Sequence, residues 1–148
     1  MFNKDTAEIF KLNKFVLDMN LKDITQSDSL VSPQTGGNCI NWILGHILVN
    51  RDVQREIVGL NTACSPEMTE LYDRGTQNIN SGNAMDVTAL LAILEEGQNE
   101  LITKLTERDL SANEESRKLA LTLAFHESYH AGQTGLLRRI AGKEGAIK

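Results

Sequence analysis

From Asn38 to about Gly59 the chain reads N-C-I-N-W-I-L-G-H-I-L-V-N-R-D-V-Q-R-E-I-V-G, with apolar residues on nearly every side of its middle. Cys39, Trp42, His46, Val49 and Val53 fall on one helical stripe, and Ile40, Ile43, Leu44, Ile47 and Leu48 broaden it. A helix that is apolar nearly all round has to be surrounded, so this segment predicts the central member of a helical assembly. The cost of that burial falls on His46, which lies inside the stripe.

Three more stretches carry helical spacing. Asp5-Thr-Ala-Glu8 resembles a capping box, and behind it Ile9, Leu12, Val16 and Met19 recur, with Phe10 and Leu17 beside them, predicting a helix over about Thr6 to Lys22. Val87, Leu90, Leu91, Leu94, Leu101 and Leu105 predict another from about Asp86, its N-cap, to Glu107. A second capping box, Ser111-Ala-Asn-Glu114, opens the last helix, which should end near Gly142. Its expected inner stripe is Leu119, Leu123, His126, His130, Gln133, Leu137 and Ile140.

Between these helices lie two connections rich in turn-forming residues. Gln26 to Gly37 contains Pro33 and reads as loop, and Asn61 to Ala84 reads as a long crossover. Within the second, Pro66 to Gly75 could hold a short helical turn that brings Leu71 and Tyr72 to the core. No stretch alternates as a strand, so the fold class is all-α, a four-helix bundle forming one domain over residues 1–148. Long connections admit crossovers, which leaves both up-down-down-up and simple up-and-down order open.

Composition narrows the function. A formal net charge of -5 with scattered Lys and Arg argues against nucleic acid, which calls for a basic patch. No apolar run approaches the roughly 18 residues of a membrane span. The N-terminus reads as a polar helix rather than a signal peptide, so a cytoplasmic location is expected, with Cys39 and Cys64 as free thiols.

The chemistry concentrates in Leu123 to Arg139, L-A-F-H-E-S-Y-H-A-G-Q-T-G-L-L-R-R, which holds two of the chain's three histidines. His126 and His130 are four residues apart, so a helix stacks both imidazoles on one face. A lone histidine is usually a surface or hydrogen-bonded core residue. Three on inward stripes are different, because one divalent cation would satisfy all of them through neutral nitrogens. Gly45 and Gly132 adjoin these positions and would let helices approach where ligands converge.

His126-Glu-Ser-Tyr-His130 also matches the short H-E-x-x-H pattern of zinc proteases, with Glu127 as general base. Few residues remain downstream for a third ligand, and the helices leave no room for a substrate-binding sheet. Glu127 is then expected to face solvent or to support a ligand, with the general-base role kept as an alternative. Asn50 and Gln133 lie one turn from His46 and His130 and could orient water or substrate, or simply hold helices together. Trp42 and Tyr129 are expected to be core aromatics, and Cys39 a buried small hydrophobe.

Asn41-Trp-Ile-Leu-Gly-His46, together with His126-x-x-Tyr-His130-x-Gly-Gln133 and the following Leu137-Arg-Arg139 and Gly142-Lys143, resembles the DinB/YfiT-like superfamily of metalloenzymes over essentially the whole chain. The resemblance implies a four-helix bundle in up-down-down-up order. It implies His46, His126 and His130 as ligands of one divalent metal, nickel or zinc, and a homodimer. Better-understood relatives are thiol S-transferases and isomerases that use low-molecular-weight thiols, so thiol transfer is the expected reaction. A metallohydrolase and a non-catalytic, stress-associated metal-binding protein are the alternatives.

Overall fold

A computed structural model of the chain describes residues 2–75 and 78–147; residues 76 and 77 of the expected crossover lie outside the described residues. Among the described residues six helices follow in order: α1 (Phe2–Leu21), α2 (Gln26–Ser29), α3 (Ile40–Ile57), α4 (Pro66–Tyr72), α5 (Val87–Glu107) and α6 (Glu114–Ile140). The four long ones form the packed assembly: α1 lies against α6 and α5, and α3 against α6, α5 and the short α4. As its sequence demands, α3 is the most enclosed, with Ile40, Ile43, Leu44, Ile47, Leu48 and Val49 all buried. None of the helices among the described residues is long and apolar enough to cross a membrane.

Helix α1 departs from its expected form. It begins at Phe2, so Asp5 sits in the first turn rather than at the cap. The expected stripe is also rotated: Leu12 is 63% exposed, while Thr6, Ala7, Phe10, Asn13, Leu17 and Asn20 are buried. The reason lies in the partner helix. Helix α6 presents Ala120, Ala124, Ala131 and Thr134 on its buried face, small residues that let two backbones approach. At that closeness Asn13 donates to the Ala124 carbonyl (3.2 Å), and Asn20 to the Thr134 hydroxyl (3.1 Å) and the Ala131 carbonyl (3.4 Å). Polar side chains that pair with a neighbouring backbone belong inside. The apolar count of α1 hides this.

The same rotation corrects α6. Leu119 and Ile140, expected inside, are 40% and 38% exposed. Its N-cap is Asn113, whose side chain accepts from Ser116 N–H (2.9 Å), and not Ser111, which turns back to bond Asp109. Helix α2 falls within the expected loop. Thr25 and Asp28 form a reciprocal capping box there, with Asp in the place where Glu or Gln is usual. Asp86 caps α5 as expected.

The crossover from α3 to α5 is pinned at several points. Asp52 accepts the backbone N–H of Ala63 (2.7 Å) and of Cys64 (2.9 Å). Ser65 caps α4, with Pro66 opening it, and the helix delivers Tyr72 to the core fully buried. The Tyr72 hydroxyl donates to Asn41 Oδ1 (2.7 Å) and accepts from Met85 N–H (3.0 Å), while Asn41 donates to the Met85 carbonyl (2.8 Å). One aromatic residue thus ties α3, the end of α4 and the start of α5 together.

Gly97 interrupts α5 without structural need. A Cβ built there meets only Arg55 Nη1, at an ordinary 3.6 Å. Gly97→Ala should therefore raise unfolding stability by about 1 kcal/mol in a urea titration, the helix-propensity difference between the two residues. Unchanged or lower stability would mean that glycine is required at this position.

Candidate metal centre

Helix α3 supplies His46, and α6 supplies His126 and His130 one turn apart; one ring nitrogen from each lies within 4.8 Å of the others. The His126 and His130 rings meet edge to face with centroids 4.4 Å apart, and His46 lies 5.1 Å from each. The sequence brings these three side chains to one place.

Two of the rings are oriented by partners that fix their tautomer. His46 Nδ1 lies 2.8 Å from the Tyr72 carbonyl, an oxygen that can only accept, so Nδ1 carries the proton and Nε2 keeps a lone pair. His130 Nδ1 likewise donates to Gln133 Oε1 (2.8 Å), and Gln133 Nε2 donates to the Tyr129 hydroxyl (3.2 Å). Trp42 stacks on His46 with centroids 4.4 Å apart and an interplanar angle of 16°. This backing holds the third degree of freedom of the ring.

His126 has no such partner: its Nδ1 is buried and has none within hydrogen-bonding distance. Its Nε2 sits 3.1 Å from His130 Nε2. Without a cation, one of these facing nitrogens must carry a proton. A cation instead accepts both lone pairs, and the 3.1 Å spacing is close to the roughly 3.3 Å that follows from zinc–nitrogen bonds of about 2.0–2.1 Å in a tetrahedron. The residues present therefore fit a divalent ion.

Burial also holds the cluster in its ligating, neutral state. Desolvation is the largest cause in each case, and it lowers the pKa of His46 and His126 and takes His130 down to about 4. The neighbouring imidazoles and Arg74 act in the same direction, whereas the Tyr72 and Gln133 bonds oppose it. Above about pH 7 these groups are neutral both folded and unfolded. As pH falls from about 6.5 toward 4, the unfolded chain takes up protons that the folded cluster resists, so stability declines. Denaturant titrations of the metal-free protein at pH 7.5, 6.0 and 5.0 should give progressively lower midpoints. A flat profile would contradict the buried, neutral cluster.

The remaining candidates are placed as follows. Asn50 donates from Nδ2 to the His46 carbonyl (2.9 Å) and lies 3.3 Å from His46 Nε2, on the lone pair a cation would use. Gln133 sits behind His130 and orients it. Glu127 is not at the surface: it is 3% exposed, and Arg51 engages both of its oxygens. Tyr129, expected in the core, is 58% exposed, because its role is to hold Gln133 from outside. Gly45 is a point of close approach, against the Tyr72 ring, whereas nothing lies near a Cβ built on Gly132. Cys39 is buried at the N-cap of α3; Cys64 is half-buried, its thiol pushed up to about 12 by burial and by Asp52, and both are free.

Sequence reasoning brought Tyr72 to the core but missed its bond to His46, and it missed Arg51 and Gln98. Tyr72 acts through its carbonyl, which leaves no mark in a side-chain pattern. Arg51 had a signal, as a cation five residues beyond His46 on a helix whose middle is enclosed. Two cavities are lined by none of the three histidines but reach residues that touch His46, Asn50 in one and Trp42 in the other. One of about 620 Å³ is bounded by Asn50, Val53, Cys64, Glu70 and Asp73, and one of about 360 Å³ by Ser32, Gly36, Gly37, Cys39 and Trp42.

What the fold and the cluster define is an all-helical bundle with a three-histidine site able to hold a metal ion. Comparisons of the chain with protein-family models, with curated proteins and with solved structures find no match.

Proposed function

We propose that the chain is a divalent-metal-dependent enzyme of the DinB/YfiT-like class, with thiol transfer to a small electrophile as its reaction. The observation that carries the metal is the His46–His126–His130 cluster, with two rings locked in the tautomer that turns Nε2 inward. The motifs around these residues carry the class. When bound, the cation acts as a Lewis acid that lowers the pKa of a thiol or water at an open coordination position. Nickel and zinc are the proposed metals, both suited to imidazole.

The chain's own groups then have defined tasks. Tyr72 and Gln133 hold the ligands in orientation, Trp42 backs His46, and Asn50 stands at the lone pair as the donor nearest an incoming group. The cavities bounded by Asn50 and by Trp42 leave room for a low-molecular-weight thiol and its acceptor. That Arg51 takes both Glu127 oxygens favours thiol transfer over hydrolysis, because hydrolysis on the H-E-x-x-H plan needs Glu127 free as a base.

The same reading includes a single domain, a homodimer, a cytoplasmic location and up-down-down-up helix order. The order is supported by the pairings of α6. Asn13 and Asn20 meet Ala124 and Ala131 in the same direction, while His46 and Arg51 meet His130 and Glu127 in reverse.

The test is to load the protein with nickel or zinc and assay a panel of small thiols against electrophilic acceptors. Turnover that requires both thiol and metal, and is lost in His46→Ala, is expected. Activity without thiol would favour a hydrolase, and bound metal with no turnover would favour a non-catalytic metal-binding protein.

A further inference from the structure

At the centre of the bundle, one turn from the cluster, lies a buried ion pair that the proposed chemistry does not use. Arg51 Nε donates to Glu127 Oε2 and Nη2 to Glu127 Oε1, both at 2.8 Å, with side chains 5% and 4% exposed. Nη1 donates to Gln98 Oε1 of α5 (2.7 Å), and the guanidinium carbon stands 5.7 Å from the centre of the Phe10 ring of α1. A single side chain therefore touches all four long helices.

Such a pair is a poor source of fold stability. Removing two charges from water costs about what their attraction returns, and a pair of apolar side chains of similar size often serves the fold equally well. What a bidentate fork supplies is register, since two parallel bonds fix both the axial offset and the rotation of one helix against another. The two helices it joins are the two that carry the ligands. Glu127 directly follows His126 and precedes His130 by one turn, and Arg51 lies five residues beyond His46. Metal geometry tolerates an error of only about 0.5 Å in ligand position.

We propose that Arg51 and Glu127 are positioning residues: their bond sets the α3–α6 register and so determines the affinity and coordination geometry of the three-histidine site. This rests on the metal-binding reading above. It also assigns Glu127 a task that keeps its carboxylate from acting as a base.

The test uses cobalt(II), whose visible spectrum reports coordination geometry. In the double variant Arg51→Met/Glu127→Met neither charge is left unpaired, so the bundle should stay folded with a melting temperature within a few degrees of wild type. Its cobalt affinity should nevertheless fall about 10–100-fold, the range known for residues that support metal ligands, and the visible bands should shift or weaken. Arg51→Lys, which keeps the charge but loses the fork, should show the same spectral change and guards against misfolding of the double variant. Wild-type affinity and spectrum in the folded double variant, or in Arg51→Lys, would overturn the positioning role alone. A wild-type protein that binds no cobalt would overturn the metal reading with it.

Discussion

His126→Ala should abolish tight metal binding while leaving the bundle folded. This histidine is half-buried, donates to no carbonyl or amide oxygen, and has a buried Nδ1 with no partner. Its removal therefore costs the fold little, and alanine is the best helix former for the vacated position. The metal loses one of three imidazoles. The affinity loss should exceed the roughly 10–100-fold that follows removal of a mere supporting group. Metal analysis after dialysis against a weak chelator, paired with circular dichroism, reads both quantities. A folded variant that retains wild-type metal would remove His126 from the ligand set.

Gly45→Ala should have the opposite profile, damaging fold and site together. A Cβ at position 45 would lie 2.3 Å from Cγ and from Cδ1 of Tyr72, inside any real contact. The ring has no free direction in which to retreat. It is fully buried, and its hydroxyl is held by Asn41 and Met85. We expect a destabilisation of about 3 kcal/mol, at the upper end for overpacking a core. Because the Tyr72 carbonyl fixes the His46 tautomer, metal affinity should fall even under conditions where the variant is folded. A loss below about 1 kcal/mol in a urea titration would show that Tyr72 moves freely, and would weaken its assignment as the anchor of His46.

These two residues mark what could and could not be read from the chain. Helix positions and types in α3 and α5 were legible because most of their apolar residues meet apolar partners on the expected stripes; Val53, expected inside α3, is 37% exposed because the stripe leaves the core toward the helix end. The three histidines were legible for a related reason: spacing puts two on one face, and burial of the third demands a partner. In α1 and α6 the pattern misled by rotation. The contact between them uses alanine, threonine and asparagine, so the largest hydrophobes, Leu12 and Phe125 among them, point outward at 63% and 71% exposure. Hydrophobicity marks a buried face only when burial is driven by bulk, not when small residues bring two backbones together.

The supporting groups were the hardest to see. Gln133 stands at a helical spacing from His130 that allowed its role to be guessed, although what it orients is the His130 ring. Tyr72 works through a backbone atom, and Glu127 changes meaning once Arg51, 76 residues away in sequence, is found beside it. A distant partner of that kind appears only when the chain is folded.

The central claim is that three imidazoles share one ion, and X-ray absorption of the zinc-loaded protein tests it most directly. Three nitrogen scatterers at about 2.0–2.1 Å with the outer-shell pattern of imidazole are predicted. A sulfur shell near the ~2.3 Å of a zinc–thiolate bond, or fewer than three imidazoles around the ion, would contradict it.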